Sequence, residues 1–464
     1  MTDYSIEEND ARTLDESHTL NPEFVDKVCA ALDGEDRVRV SELLLKLHAA
    51  DQADLLALLR PSQRRHLIRL MGDILHPDVL SDVEEDIRDE LVEVMDAEHL
   101  ANAVSELETD DAVHLVEDLD EERREEVLGL VSDVDRAAVE FGLKHSDKTA
   151  GRLMQREVAS APDYWTVRQA LDHIRTSADL PRRFFEIFVV DARSHSVGTI
   201  VMSALMREDP DAILSDIMQT KQTLIPASMG EEDVAYLFDQ YHLISAAVVD
   251  EFDRIIGMIT VDDIVGVVRQ AASEDMLALA GVREAEALSD SVIETARSRF
   301  SWLFINLMTA VTASLVIAVF ENAIQEIVAL AVLMPIVASM GGNSGTQTLT
   351  VAVRAMATKD LTATNALRIV YRETIVGGVN GILFAIIMGV IAGVWFDRME
   401  LGLVLGFAMI INMIMAGLAG ILIPLGLDRA GIDPAVSSTV FVTTVTDIVG
   451  FFVFLGLATV MLIA

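Results

Sequence analysis

The chain has 464 residues, 51% of them hydrophobic, and carries 74 Asp and Glu against 35 Lys and Arg, a formal net charge of −39. That excess excludes nucleic acid as a natural partner and predicts self-repulsion unless counterions are bound; divalent cations are one remedy, and adaptation to a salty medium is the other reading. A single cysteine, Cys29, excludes an internal disulfide and suits a reducing cytosol, and the acidic, polar residues 1–20 do not read as a signal peptide.

The charge is concentrated in the first 299 residues, which hold 65 acidic and 29 basic side chains, a net −36. After a flexible acidic terminus expected over residues 1–20, residues 21–148 read as helical throughout. Short amphipathic units (Ser41–Leu47, Gln52–Leu59, Leu91–Met95, Asn102–Leu107 and Ala112–Leu119) are separated by Asp-rich breaks that suit N-caps. The pattern fits an all-α superhelical stack, which serves as a docking or lever surface rather than an enzyme; an ordinary helical bundle would give the same sequence features.

Residues 151–270 contain an internal repeat. Leu153-Met154-Gln155 aligns with Ile217-Met218-Gln219, and Pro162 with Pro226. Each copy continues through an amphipathic helix, a β-rich run (Phe188–Asp191 or Ala247–Asp250), a turn and a second strand (Val197–Ile200 or Ile256–Ile259). This order resembles a tandem α/β pair of cystathionine-β-synthase-type (CBS) modules, over 149–213 and 214–271, which implies sensing of adenosine nucleotides or ions. On that resemblance Asp263, in Thr260-Val261-Asp262-Asp263, matches a ribose-binding position, and Met206 stands at the matching place in the first copy. ATP would then belong to the second module, with Thr260 and Asp263 as its residues. The alternative is that Thr260 and Asp263 cap a helix.

A connecting helix is expected over 272–299, followed over 300–464 by five apolar stretches long enough to span a bilayer: Trp302–Phe320, Ala323–Val353, Ala366–Phe396, Leu401–Leu425 and Ala435–Ala464. Arg297 and Arg299 precede the first span, Arg354, Lys359, Arg368 and Arg372 fill the second connection, and Arg429 lies in the fourth. The positive-inside rule therefore places the acidic front part in the cytoplasm and the C-terminus outside. In the last span Asp447 has no basic neighbour and lies one helical turn from Thr443 and Thr444. An ionised carboxylate at that depth costs about 2.5–3.5 kcal/mol, so it faces water or a partner. A hydrated cation path is one reading; a protonated Asp bonded to a neighbouring helix is the other. Gly341 and Gly345 permit close helix approach, while Asn343, in an apparent glycine turn, Gln347 and Thr350 form a polar stripe that needs water or partners. Isolated Asn306, Asn380 and Asn412 read better as glue between helices.

Two motifs extend the resemblance to nearly the whole chain: Pro335 to Thr350 with Arg354–Leu361, and Asp433-Pro434-Ala435 leading to Thr443-Thr444 and Asp447-Ile448-Val449-Gly450. The order acidic helical domain, CBS pair, connecting helix and five spans resembles the MgtE family of magnesium channels. One departure is Thr439-Val440, where the family has a small residue and then proline. The resemblance implies a homodimeric channel in a cell membrane, with Asp447, Asn343, Thr443, Thr444, Gln347, Gly341 and Gly342 at the ion path. A pore with one carboxylate per chain and many neutral oxygens suits hydrated Mg2+, and the absence of a soft Cys or His ligand in the spans would admit Mn2+, Co2+ and Ni2+. Regulation is expected through cytosolic Mg2+ bridging Asp263, with Asp262, Glu274 and Asp275, and closing the pore. The family often has an acid where this chain has Gly266. Other readings are a CBS-regulated carrier for another solute and a membrane-tethered sensor without transport. An enzyme is not expected, since no nucleophile or metal constellation lies in the spans.

Overall fold

The structure, a computed structural model, describes residues 13–71, 75–177, 180–181, 183–282, 292–362, 364–436 and 438–463. Its contacts divide it into two units, up to Val268 and from Arg269 onward. Residues 13–20 are more ordered than a flexible terminus: Leu14 bridges Leu20 and Asp15 organises the turn between them by accepting from Ser17 and Thr19.

Ten helices follow: α1 (Pro22–Asp33), α2 (Arg37–Leu44), α3 (Ala49–Leu58), α4 (Pro61–Met71), α5 (Val79–Asp82), α6 (Glu85–Val94), α7 (Ala97–Glu106), α8 (Thr109–Glu117), α9 (Glu121–Leu130) and α10 (Asp133–Gly142). From α3 onward, α5 aside, the helix starts at 49, 61, 85, 97, 109, 121 and 133 keep a 12-residue register, with 73 outside the described residues. The fourth residue of a helix in this register repeatedly satisfies the helix before it, whose last carbonyls have no partner of their own. Gln52 donates to Leu44 and Leu47, Arg64 to Leu56 and Leu59, and Arg124 to Val116 and Leu119. Asp96, Asp120 and Ser132 provide the N-caps expected at the Asp-rich breaks. α3 packs on α5, α4 on α6, α7 on α9 and α8 on α10. Packing on the next helix but one is compatible with a superhelical stack.

The repeat forms two matching modules. α11 (Ala150–Leu153), β1 (Ser160–Pro162), α12 (Val167–Thr176), β2 (Glu186–Val190), β3 (Ser196–Val201) and α13 (Met202–Leu205) make the first. α14 (Leu214–Ile217), β4 (Leu224–Pro226), α15 (Glu231–Tyr241), β5 (Ser245–Val249), β6 (Ile255–Thr260) and α16 (Val261–Ala280) make the second. Each sheet has a parallel pair and then an antiparallel one, in the orders β1-β2-β3 and β4-β5-β6. The aligned Met-Gln segments are exchanged: Thr199 bridges Gln219 and Met258 bridges Gln155, so each module completes the other's sheet edge. Gly198 and Gly257 permit this, because a Cβ on either would lie within 2.8 Å of the opposing Gln carbonyl.

α16 leaves the second module without a break and ends at Ala280, where Gly281 adopts φ +73°. The connecting helix therefore begins earlier than 272 and does not run unbroken to 299. Glu284, Glu286 and Asp290 lie outside the described residues. The remaining helices are α17 (Val292–Val319), α18 (Glu321–Glu326), α19 (Ala329–Ala357), α20 (Ala366–Trp395), α21 (Met399–Arg429) and α22 (Ser438–Ala458), closed by a π-helical turn, Thr459–Ile463. The stretch 323–353 expected as one span is broken at Ile327 and Val328, so α18 is separate from α19. Among the described residues four helices are long and apolar enough to cross a membrane: Thr295–Val319, Ala366–Trp395, Met399–Arg429 and Thr439–Ile463. α19 is long enough, but its polar stripe dilutes its apolar character. α21 is the centre of this unit and packs on α19, α20 and α22.

Candidate functional site

α19 and α22 bring the membrane candidates together. α19 runs as a continuous helix through Gly341–Gly345, so Asn343 does not lie in a turn as the glycines suggested. Without water, each backbone amide is best satisfied within its own helix, and glycine there serves close packing. Gly345 faces Val442 and Gly342 faces Thr443, with Cβ-equivalent distances of 2.5 and 3.7 Å. Gly341, Gly342 and Gly345 are buried, while Asn343, Gln347 and Thr350 point off the bundle and are exposed in the single chain. Of the three isolated asparagines, Asn412 joins two helices, donating to the Val337 carbonyl over 2.9 Å.

Asp447 is half-buried on α22 and makes no hydrogen bond or ion pair among the described residues. Thr443 donates its hydroxyl to the carbonyls of Thr439 and Val440, Thr444 to that of Val440, and buried Thr446 to that of Thr443. Each proton is thus committed to the helix, and the hydroxyl oxygens keep their lone pairs free to accept. A bare carboxylate beside oriented acceptors suits a hydrated cation and repels an anion.

At the start of α22, the Thr439 hydroxyl donates to the carbonyl of Leu279, near the end of α16, over 3.0 Å. Ala278 and Leu279 pack there against Leu349, Val353, Ala435 and Val442. Thr439 therefore ties the end of α16 to α19 and α22. Glu274 and Asp275 lie on the same part of α16, beyond Val268.

The second site is in the cytosolic unit. Asp262 and Asp263 open α16, and Asp263 accepts from both the amide and the hydroxyl of Thr260, at 3.2 and 2.8 Å; Asp262 also accepts from that hydroxyl. This is the capping arrangement, so in this state the ribose-type position is already engaged. Against it stand Glu108, Asp110 and Asp111 at the start of α8. Burial, then the Asp263 charge, holds Asp110 well above the usual carboxylate range and pushes Asp111 up to about 7. Burial also raises Asp263 to about 6, and burial with Asp263 and Asp262 raises Glu108. Asp110 is 4% exposed and its Oδ1 has no partner. Sequence reasoning missed Glu108, Asp110 and Asp111, although the acidic run Glu108-Thr109-Asp110-Asp111 at a helix start was visible. Among the described residues no group of three or more His, Cys, Asp or Glu is already gathered as a metal cage. The donor set, all oxygen with one orphaned buried atom, fits a cation that keeps much of its water, as Mg2+ does. Gly266 sits on an exposed face of α16 with open space before it, so no acid contributes there.

A cleft of about 540 Å3 lies elsewhere in this unit, lined by Phe141, Arg156, Glu157, Ser160, Ser194 and Ile255 among others, with Arg156 5.5 Å over the Phe141 ring. Neither Thr260 nor Asp263 lines it.

Three family models match the chain: MgtE, described as a divalent cation transporter, over residues 334–457; the MgtE intracellular N domain over 47–148; and the CBS domain over 214–270. The magnesium transporter MgtE of Enterococcus faecalis is 35% identical over 420 residues, covering 90% of this chain and 92% of that one. The chain belongs to the MgtE family. The MgtE of Thermus thermophilus is 30% identical over 330 residues, covering 70% and 73% of the two chains. A solved structure of the cytosolic domain of the Mg2+ channel MgtE in complex with ATP is 25% identical with a TM-score of 0.49, covering 52% of this chain and 99% of that one. The family models fall on both sites: the transporter model includes Asn343 and Asp447, and the other two include Glu108–Asp111 and Asp263.

Two outcomes follow. Asp263 and Asp111 have raised folded-state pKa values, so the packing of α8 on the start of α16 is most stable below about pH 4. That stability is lost as pH rises through about 6 and 7. Without divalent ions, protection against hydrogen exchange at residues 108–111, taken relative to the intrinsic exchange rate at each pH, should be greater at pH 5 than at pH 8, and millimolar Mg2+ should remove the difference; equal protection without Mg2+ would show no such strain. Thr439→Val keeps the shape and removes a bond worth about 1 kcal/mol, so exchange at the end of α16 should rise about fivefold, whereas an unchanged rate would mean that the tie bears no load.

Proposed function

We propose that this MgtE-family chain carries Mg2+ into the cell as a channel, and that cytosolic Mg2+ closes it. The observation that carries the reading is Asp447, an acid without a counter-charge in a membrane-crossing helix, flanked by threonines whose hydroxyl oxygens can only accept. Mg2+ gives up its water reluctantly, so the ion is held as a hydrate by one carboxylate and neutral oxygens. Mn2+, Co2+ and Ni2+ share its charge and meet no Cys or His on these helices.

α19 is counted as a fifth span, which puts the C-terminus outside and the acidic unit in the cytoplasm, in accord with the basic residues of the connections. Its polar stripe, Asn343, Gln347 and Thr350, is unaccommodated in a single chain surrounded by lipid. A homodimer that turns these stripes and both copies of Asp447 toward one axis gives them water and one another. In this reading residues 21–148 and the two CBS modules serve as sensor, α16 as connector and the spans as pore.

For regulation, Glu108, Asp110, Asp111 and Asp263 cannot all ionise in contact, so the compact state needs protons or a cation. Mg2+ binds the compact state more tightly than the separated one and shifts the balance toward it by that difference. Asp262 lies at the rim of this site, and Glu274 and Asp275 serve along the connector. ATP at the second CBS module would require Asp263 to exchange its Thr260 cap for a ribose hydroxyl, so nucleotide and bridging ion draw on one carboxylate.

The test is Mg2+ uptake into proteoliposomes holding a Mg2+-sensitive dye. Asp447→Ala removes a charge-assisted contact of about 3 kcal/mol and should lower uptake about 100-fold without changing the size-exclusion profile. Equal uptake by both proteins would remove Asp447 from the path.

A further inference from the structure

Asn412 lies mid-way along α21 and is completely buried, yet only half of its amide is used. Nδ2 donates to the carbonyl of Val337 on α19, while Oδ1 has no partner. A side chain on Gly341 of α19 would begin 2.2 Å from that nitrogen, and one on Gly450 of α22 would begin 2.7 Å from it. Two neighbouring helices therefore lack side chains at the level of one amide. Gly341 stands two residues before Asn343, and Gly450 stands one turn beyond Asp447.

Space filling alone does not explain an asparagine here. A leucine of similar length would fill the notch without burying an unmet acceptor, which is costly where no water is at hand. What the amide adds is a directed bond that fixes α19 to α21 at one register, with the wedge against Gly450 fixing α22 to the same point. We infer that Asn412 is a positioning residue, a clamp that sets the separation between the helices bearing Asn343 and Asp447 and so the fit of the hydrated ion between them. This rests on the transport reading above.

The test compares Asn412→Leu with the natural chain in proteoliposomes, reading KM for Mg2+, maximal rate and preference for Mg2+ over Ca2+. A parallel sample carries spin labels at Val351→Cys and Phe441→Cys in a Cys29→Ser background, to read the α19–α22 distance. The clamp predicts a KM raised about tenfold or more, a smaller change in maximal rate, weaker preference for Mg2+ and a broadened label distance. Unchanged KM, preference and distance would overturn it. Should Asn412→Leu fail to fold, Gly450→Ala presses on the same amide from the other helix and must give the same shifts, and its silence would equally overturn the clamp. If the natural chain carries no Mg2+, the transport reading fails and the label distances decide the clamp alone: broadening upholds it, and identity overturns it.

Discussion

Everything distinctive in this molecule depends on carboxylates placed where they lack enough positive charge. In water an excess of acid is harmless, because each group is solvated and screened within about 10 Å at ordinary salt. Here Asp110 is buried against Asp111, Glu108 and Asp263 in the cytosolic unit, and Asp447 stands without a counter-charge on a membrane-crossing helix. Both sites are incomplete as the chain alone builds them. On the proposed reading a small divalent cation completes both, as cargo in one place and as signal in the other.

The two sites are built on scaffolds held together in different ways. The stack repeats every 12 residues and is tied by side chains such as Arg64, which reaches the carbonyls of Leu56 in α3 and of Leu59 just beyond it and pairs with Glu90 of α6. α8 is one rung of that ladder, so displacing its acidic end moves a stiff element rather than a loose loop. In the membrane unit the rigidity comes from glycine contacts between α19, α21 and α22, and the Thr439 bond fastens the end of α16 to them. α16 itself carries Asp262 and Asp263 in its first turn and ends at Ala280, so a single helix bears both Asp263 and the segment bonded to Thr439 of α22.

Much of this was legible in the sequence for physical reasons. The two CBS modules were readable because alternation and turn residues repeat at the same spacing, and the short helices because Asp and Ser mark their starts. Asp447 stood out because no other acid lies so deep in an apolar run. Three features were not legible. The acids at the start of α8 look like any solvated helix terminus, and only the fold brings them to Asp263, 152 residues later in the chain. Asn343 read as lying in a glycine turn, whereas the membrane helix runs unbroken through it, and Gly341 and Gly345 keep the close approach read for them. The continuity of β6 into α16 hid the true start of the connecting helix, since no Gly or Pro marks it. Asn412 was readable as glue, but its half-used amide and the two glycines facing it belong to three helices and appear only once these are packed.

The central claim is that cytosolic Mg2+ acts by relieving repulsion among Glu108, Asp110, Asp111 and Asp263. The most direct measurement is Mg2+ uptake as a function of sensor-side Mg2+ for the combined variant Asp110→Asn, Asp111→Asn and Asp263→Asn. With the repulsion removed, the compact state no longer needs the ion, and uptake should stay low and indifferent to sensor-side Mg2+. Uptake that still opens at low sensor-side Mg2+ and closes at high, as in the natural chain, would contradict the account.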